Sequence, residues 1–517
     1  MNRRDLVKSA IFAAASATSA TAAAQEIHLE ELTVEDIQRG FQSGLSAVGI
    51  TGAYLARIEA IDRHGPAINA VIELNPDALK DALELDRERK AKGPRSPLHG
   101  VPVLVKDNID TATLSTTAGS LALLGAPAPK DAFIVTRLRA AGAVLLGKTN
   151  LSEWANFRGD HSTSGWSGRG GQTKNPYALN RNPSGSSSGS GAATAASLCA
   201  IAVGTETDGS IVSPASINGL VGIKPTVGLV SRSGIIPISA SQDTAGPMAR
   251  TVRDAVLLLN ALAAADSADA ATASAPATRP DYARFLDKNG LRGARLGIVR
   301  KSFGFNAAVD KLMEQSIADM KSAGAEIIDP VEIPSDGKIS EPETEVLLYE
   351  FKAGLNAYFK TRGRTDTLAS LIAFNEKNRA RELDHFGQEL LLKAENKGPL
   401  TDPAYRKARA ECIRLTRTEG IDAACSKYRL QALVAPTSCL AWLTDYVNGD
   451  SGNGGCSTPA AVAGYPHITV PAGLVHGLPA GISFFGPAWS EPTLIKVAYA
   501  FEQSTKARRK PTFAASV

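Results

Sequence analysis

One lysine and two serines stand in sequence settings that suit nucleophilic catalysis. Lys106 follows the apolar run 101–105, Ser186 lies in a Gly/Ser-rich stretch, and Ser210 follows Gly209. A neutral serine hydroxyl attacks a carbonyl effectively only when a base removes its proton. Lysine serves as that base when burial disfavours its charge, and the apolar run before Lys106 is compatible with burial. A second hydroxyl can relay the proton, because it both donates and accepts. These residues predict a nucleophilic site that needs no metal.

Composition and charge exclude several other classes of function. The 517 residues carry a net charge of +4 with both signs interleaved, which argues against nucleic-acid binding. No strongly apolar run reaches the ~18 residues of a membrane-spanning helix. The seven histidines and five cysteines form no CxxC or HExxH pattern, so we expect neither a metal nor a cofactor.

Two familiar motif matches and one histidine offer rival interpretations, and each lacks its required context. Residues 142–149 fit the P-loop pattern GxxxxGK[ST], but Ala-Val-Leu-Leu at its centre reads as a strand rather than a phosphate-binding loop. Residues 185–189 fit the nucleophile elbow GxSxG around Ser187, yet the polar segment before them is no strand. His161 is the alternative base for a serine nucleophile, although its Asp-His-Ser setting is typical of an exposed loop.

Taken together, segments 104–108, 183–191 and 204–210 resemble the amidase signature family. That family uses a Ser-Ser-Lys triad, so the resemblance implies Ser210 as nucleophile, Ser186 as proton relay and Lys106 as base. The spacings, 186 − 106 = 80 and 210 − 186 = 24, suit the family's layout. The motifs at 147–150, 222–226 and 463–466 extend the resemblance over most of the chain.

The resemblance also implies the groups that support the triad. The relay serine of the family follows a cis peptide bond, here Gly185–Ser186, and Ser187 stands beside it. The backbone N–H groups implied for the oxyanion hole are those of Thr207, Asp208, Gly209 and Ser210. Asp208 replaces a more common Gly, and Val212 stands where many members have Arg. Glu206 therefore needs a partner other than that Arg, or contact with water.

The resemblance implies an amidase that forms an acyl-enzyme. Residues 150–159, 204–210 and 242–250 are most similar to the bacterial peptide amidases within the family, which release ammonia from C-terminal carboxamides of peptides. The expected partner is thus a peptide or small-molecule amide. The alternative is a broad-specificity amidase or aryl acylamidase acting on small amides. A fold without turnover is disfavoured by the intact triad, and a component of a tRNA amidotransferase is disfavoured by the absence of strong basic charge.

The elements that must position these residues indicate an α/β protein. Short apolar runs at 101–105, 143–146 and 200–203 predict buried strands, and helical patterns lie between them. Further strands are predicted near 296–299, 433–435, 467–470 and 481–485. The resemblance implies the amidase signature fold, in which one large mixed sheet is covered by helices on both faces. We predict a single domain over 25–517, with a surface linker at 265–281 and a helical excursion at 337–430.

The first 24 residues have the pattern of an export signal. Arg3-Arg4 and Lys8 precede a weakly apolar stretch that ends in Ala22-Ala23-Ala24, as in a twin-arginine-type signal with a small-residue cleavage site. We therefore expect a periplasmic, monomeric protein. In that oxidising compartment a disulfide among Cys412, Cys425, Cys439 and Cys456 is open, whereas Cys199 in its Ala-rich run is expected to be a buried thiol.

Overall fold

An eleven-stranded mixed sheet forms the centre of the protein. The computed structural model describes residues 27–125, 127–335 and 337–517. The strands are β1 (Val71–Leu74), β2 (Pro102–Lys106), β3 (Val144–Thr149), β4 (Trp166–Ser167), β5 (Gly171–Gln172), β6 (Ile201–Glu206), β7 (Val221–Lys224), β8 (Thr244–Ala249), β9 (Arg295–Ile298), β10 (Glu326–Ile328), β11 (Ala432–Pro436), β12 (His467–Val475) and β13 (Leu478–Phe485). The sheet order is β1-β3-β2-β6-β8-β7-β12-β13-β11-β9-β10, and β4 and β5 form a separate hairpin.

The strands that carry the site are parallel and buried on both faces. β2 lies between β3 and β6 and runs parallel to both, with Val105 opposite Val203. β6 pairs with β8 in the antiparallel sense, which makes the sheet mixed. Every residue of β2, β3 and β6 is buried, as expected for strands with packed elements on both sides. The predicted α/β fold is confirmed.

Helices pack around this sheet and also form the region predicted between 337 and 430. They are α1 (Val34–Gln42), α2 (Ala47–Arg57), α3 (Ala78–Lys92), α4 (Phe133–Ala140), α5 (Ser188–Ala195), α6 (Val212–Ile217), α7 (Val252–Leu262), α8 (Ala307–Ser322), α9 (Ser340–Thr361), α10 (Leu368–Lys377), α11 (Arg379–Glu382), α12 (Glu389–Glu395), α13 (Pro403–Ile413), α14 (Asp422–Tyr428), α15 (Thr458–Ala463) and α16 (Glu491–Thr505). The predicted helical excursion corresponds to α9–α14. Its apolar side packs as a separate core cluster that includes Phe351, Leu355 and Leu391 of the excursion together with Trp154 and Phe157.

The segment 265–281 lies outside the sheet, as a linker would, but it is packed more closely than the sequence predicts. It contains a short 3₁₀ helix, Ala270–Ser274, and buried Asp269 accepts two hydrogen bonds from the Arg232 guanidinium. The physical reason is the acidic side chains in an otherwise small-residue stretch, which find charged and hydroxyl partners on the neighbouring loop.

Two other expectations concern the N-terminus and the cysteines. Residues 1–24, predicted as the export signal, lie outside the described residues. Cys199 is fully buried, as expected, and Cys412, Cys425 and Cys439 carry free thiols. Over the part of the chain that the structure describes, no helix combines the length and apolarity needed to cross a bilayer.

Candidate active site

The ends of two neighbouring parallel strands bring the predicted base close to the predicted serine loops. Lys106 is the last residue of β2, and Thr205 lies one residue before the end of β6. Because the carboxyl ends of parallel strands meet at one edge of a sheet, their side chains converge there. The Lys106 Nζ lies 2.9 Å from Thr205 Oγ1, and residues 207–211 leave the same edge to enter α6.

Lys106 is fully buried and surrounded by uncharged oxygens. Its Nζ lies 2.8 Å from Ser186 Oγ, 3.1 Å from Ser187 Oγ and 3.3 Å from the Thr205 carbonyl. The side chain has no exposed surface. Burial lowers the pKa of Lys106 to about 7, and the more distant carboxylates Glu206 and Asp243 oppose that effect. A large fraction of this lysine is therefore neutral near pH 7, as a base must be.

The two serines beside the lysine are held where a Gly/Ser loop enters α5. The Gly185–Ser186 peptide bond is cis, as the resemblance implied. Ser187 Oγ donates to the Thr205 carbonyl at 2.9 Å and accepts from the Thr205 N–H at 3.2 Å, so this hydroxyl is anchored to β6. The helix begins at Ser188, and the polar segment before Gly185 contains no strand, which removes the context of a nucleophile elbow.

Ser210 lies on the loop that follows β6, next to the relay loop. The Ser187 N–H donates to the Ser210 carbonyl at 3.3 Å, which joins the two loops through their backbones. Ser210 is 8% exposed, so the residue combines burial with residual access. Gly209 before it has φ = 76°, and a Cβ there would lie 3.0 Å from Ser457 Oγ. Glycine is thus required at that position both by the backbone conformation and by the close neighbour.

Glu206 finds its partners in the backbone. Its Oε2 accepts hydrogen bonds from the N–H groups of Ile211 at 2.7 Å and Val212 at 3.0 Å, at the start of α6. Lys224 adds an opposite charge that favours the ionised carboxylate, while burial raises the pKa of Glu206. The arginine missing at position 212 is therefore replaced by two amide donors and a lysine on β7.

Asp208 is directed to α15 and to the helical excursion. Its Oδ2 accepts from Thr458 Oγ1 at 2.7 Å, and its carboxyl is in hydrogen-bonding contact with the carboxyl of Glu343 on α9. The side chain is thus engaged by protein groups on both sides. Repulsion of an acidic substrate, which the sequence raised for an inward-pointing Asp208, is reduced by these contacts.

Thr205 and Asn108 belong to the site, although sequence reasoning assigned them no role. The Thr205 hydroxyl lies between Lys106 Nζ and Asn108 Nδ2, each 2.9 Å away. Both residues fall inside the segments that carry the family resemblance, so the signal was present but not specific to them. They also line a cavity of about 200 Å³ whose apolar wall includes Ile236 and Ile238.

The rival sites differ from this arrangement. Residues 144–149 form strand β3, and Lys148 is buried with its Nζ 3.1 Å from Thr116 Oγ1, which removes the P-loop interpretation. Lys148 also forms an ion pair with Asp107 at 3.8 Å. His161 lies on an exposed loop, as its sequence setting indicated.

This fold and sequence define a known class of hydrolase. The Amidase family model matches residues 49–495, and the chain belongs to the amidase signature family. It is an amide-hydrolysing enzyme by that membership. Among curated relatives, a probable amidase of Arabidopsis thaliana is 44% identical over 501 residues, covering 94% of this chain and 92% of that protein. One chain of the glutamyl-tRNA(Gln) amidotransferase of Symbiobacterium thermophilum is 35% identical over 497 residues, covering 92% and 97%.

Solved structures of peptide amidases are also similar to this chain. A peptide amidase in complex with the competitive inhibitor chymostatin has a TM-score of 0.92 at 55% identity, covering 93% of this chain and 99% of that one. The native peptide amidase from Stenotrophomonas maltophilia has a TM-score of 0.90 at 55% identity, covering 94% and 99%. The amidase signature fold predicted from the sequence is confirmed.

Proposed function

We propose that this chain hydrolyses the C-terminal carboxamide of peptides to the free acid and ammonia through Ser210, Ser186 and Lys106. The observation that carries the proposal is the buried Lys106 amine, 2.8 Å from Ser186 Oγ, on a relay loop bonded to the backbone of Ser210. Its surroundings hold the amine neutral without a carboxylate in contact. Such a lysine can accept a proton near pH 7, which an exposed lysine cannot.

The proposed reaction begins with a coupled proton transfer. Ser186 passes its hydroxyl proton to the Lys106 amine and takes the proton of Ser210, whose Oγ forms a bond to the amide carbonyl carbon. The negative charge moves to the carbonyl oxygen, where the N–H groups implied at Thr207–Ser210 stabilise it. The proton then returns through Ser186 to the amide nitrogen, the C–N bond breaks, and ammonia leaves. Water repeats the attack on the acyl-enzyme and releases the acid and Ser210.

Similarity supports the peptide assignment. The two peptide amidase structures are 55% identical to this chain, whereas the probable amidase of Arabidopsis is 44% identical and the amidotransferase chain 35%. Asp208 and Val212, the two departures from the common family pattern, are both shared with the peptide amidases as the sequence resemblance describes them. Small aryl or aliphatic amides are the second candidate, because the cavity of about 200 Å³ beside Thr205 is smaller than most ligand pockets.

Ammonia release from the purified protein tests the proposal. The substrates are a peptide carboxamide, the same peptide as a free acid and a small aryl amide, each with wild type and Ser210→Ala. We expect ammonia from the carboxamide, no internal cleavage, and loss of at least ~10³-fold in rate with Ser210→Ala. Turnover of the aryl amide alone would refute the peptide assignment but keep the triad, and full activity of Ser210→Ala would refute the nucleophile.

We also propose export to the periplasm, supported by the Arg3-Arg4 and Lys8 pattern of the N-terminus. In a bacterial host with a twin-arginine system, the wild-type protein is expected in the periplasmic fraction with a shortened N-terminus. Substitution of both Arg3 and Arg4 by Lys is expected to leave the precursor in the cytoplasm. Equal distribution of the two proteins would refute this signal.

A further inference from the structure

A pair of carboxyl groups lies directly behind the proposed oxyanion loop. Glu343, in the first turns of α9, is buried, and its carboxyl is in contact with that of Asp208. Asp208 Oδ1 is shielded from solvent and, within the described part of the chain, receives no hydrogen bond from an N–H or hydroxyl group. Two ionised carboxylates cannot satisfy each other, whereas one shared proton lets one donate to the other.

The same glutamate reaches the loop by a second route, through Gln242. The Gln242 Nε2 donates to Glu343 Oε1 at 2.9 Å and to the Thr207 carbonyl at 3.2 Å, which uses both of its N–H groups. With Oε1 as acceptor, Oε2 is the oxygen left to carry the proton toward Asp208. Glu343 is thus connected to the loop at two successive residues.

The Gln242 contact sets the direction of one proposed oxyanion donor. The Thr207 carbonyl and the Asp208 N–H belong to one planar trans peptide unit and point in opposite directions. When Gln242 holds the carbonyl on the α9 side, the Asp208 N–H is directed away from α9. Because an oxyanion donor acts through its fixed orientation, small rotations of this peptide plane change the reaction rate.

We propose that Glu343, in its protonated form, is a positioning residue that holds the Thr207–Ser210 loop in its reactive conformation through Asp208 and Gln242. The inference rests on the proposed function of that loop. It assigns the helical excursion a role in catalysis, since α9 supplies the group. Loss of the shared proton leaves two adjacent buried carboxylates, whose repulsion separates α9 from the loop and lowers kcat.

The charged and titratable groups around the pair determine the direction of the pH effect. Lys224 on β7 favours the ionised Asp208, Glu206 on β6 opposes it, and the Cys412 thiol on α13 faces Glu343. Burial, and then the charge of Asp208, hold the pKa of Glu343 well above its usual range. The protonated pair therefore exists at neutral pH and is lost on the alkaline side, opposite in direction to the titration of Lys106.

The test compares pH profiles of kcat and KM for wild type, Glu343→Gln and Glu343→Ala, with Glu341→Gln as control. Glu341 lies in the same helical turn but is exposed. We expect a wild-type kcat that rises near pH 7 and falls at alkaline pH. Glu343→Gln, which keeps a donor at every pH, should retain kcat within about threefold and lose the alkaline fall. Glu343→Ala should lower kcat at least ~10-fold with KM little changed, and Glu341→Gln should match wild type.

An alkaline fall retained in Glu343→Gln, or full kcat in Glu343→Ala, would overturn the proposal. Thermal unfolding midpoints of the same proteins, measured from pH 5 to 9, give a readout that needs no turnover. A carboxyl whose pKa is raised on folding contributes less stability as the pH rises, so wild type should lose stability relative to Glu343→Gln with increasing pH. If this difference appears but no amide is hydrolysed, the proposed function fails and the carboxyl pair stands. If the difference is absent while wild type is active, the pair fails alone.

Discussion

The titration of Lys106 provides the sharpest test of the proposed mechanism. A base that must be neutral is active only in its deprotonated fraction, and burial brings the pKa of Lys106 to about 7. From that value the neutral fraction is ~50% at pH 7, ~10% at pH 6 and ~1% at pH 5. We therefore expect kcat/KM to fall about tenfold per pH unit below pH 7, measured as initial rates of ammonia release at low substrate concentration.

A neighbouring carboxyl could produce a similar acidic limb and serves as the control. Burial raises the pKa of Asp243 to about 6, and its charge in turn raises the pKa of Lys106. In Asp243→Asn the limb should persist and move to lower pH, because the lysine loses a stabilising negative charge. Disappearance of the limb in this variant, or a flat wild-type profile between pH 5 and 7, would refute Lys106 as the titrating base.

The same pKa predicts a change in stability that does not depend on substrate. Lowering the pKa of Lys106 from 10.5 to about 7 corresponds to about 5 kcal/mol against the charged form. Below pH 7 this cost is fully present in wild type, and it decreases as the pH rises toward 10.5, because the unfolded chain then binds more protons than the folded one. Lys106→Met removes the buried charge, so its stability relative to wild type should be greatest at acidic pH and decline from pH 7 to 9. A difference independent of pH in urea unfolding would contradict this account.

Three further predictions concern the groups that hold the site in place. Gly209→Ala places a side chain at φ = 76° near a serine hydroxyl, and should lower kcat at least ~10-fold and stability by about 1–2 kcal/mol; Gly363→Ala, at φ = 67° with open space, should lose similar stability but keep kcat. Glu206→Ala removes the acceptor of two buried N–H groups and should cost about 2 kcal/mol in urea unfolding. Arg158→Met leaves the Glu153 carboxylate, 2.6 Å away, buried without its cation, and should cost about 3–5 kcal/mol and speed proteolysis near residues 379–395.

Each of these has an outcome that would count against it. Unchanged kcat in the Gly209 variant would show that the loop tolerates the side chain, and loss of kcat in the Gly363 variant would attribute the effect to global strain. For Glu206, the exposed Glu84→Ala provides the reference, which should stay within about 0.5 kcal/mol of wild type. Wild-type protease resistance in the Arg158 variant would show that α11 and α12 are held by other contacts.

The sequence by itself determined the strands that end at the site and the identity of the residues there. Apolar runs of strand length before Lys106 and before Gly204 predict buried strands, since every side chain in a strand with both faces covered is apolar or paired. The resemblance then implied the triad and the cis bond at Gly185–Ser186. Local composition also rejected the P-loop at 142–149, because four apolar residues in a row favour a strand over a phosphate loop.

Only the tertiary structure decided which distant residues act on these groups. The pKa of Lys106 depends on how completely other strands and loops exclude water, and no local pattern encodes that exclusion. Glu206 finds two backbone donors in α6, Asp269 binds Arg232, and Glu343 reaches Asp208 across 135 positions of sequence, by 343 − 208. Such contacts arise from packing between elements far apart in the chain, and burial rather than residue type sets their strength.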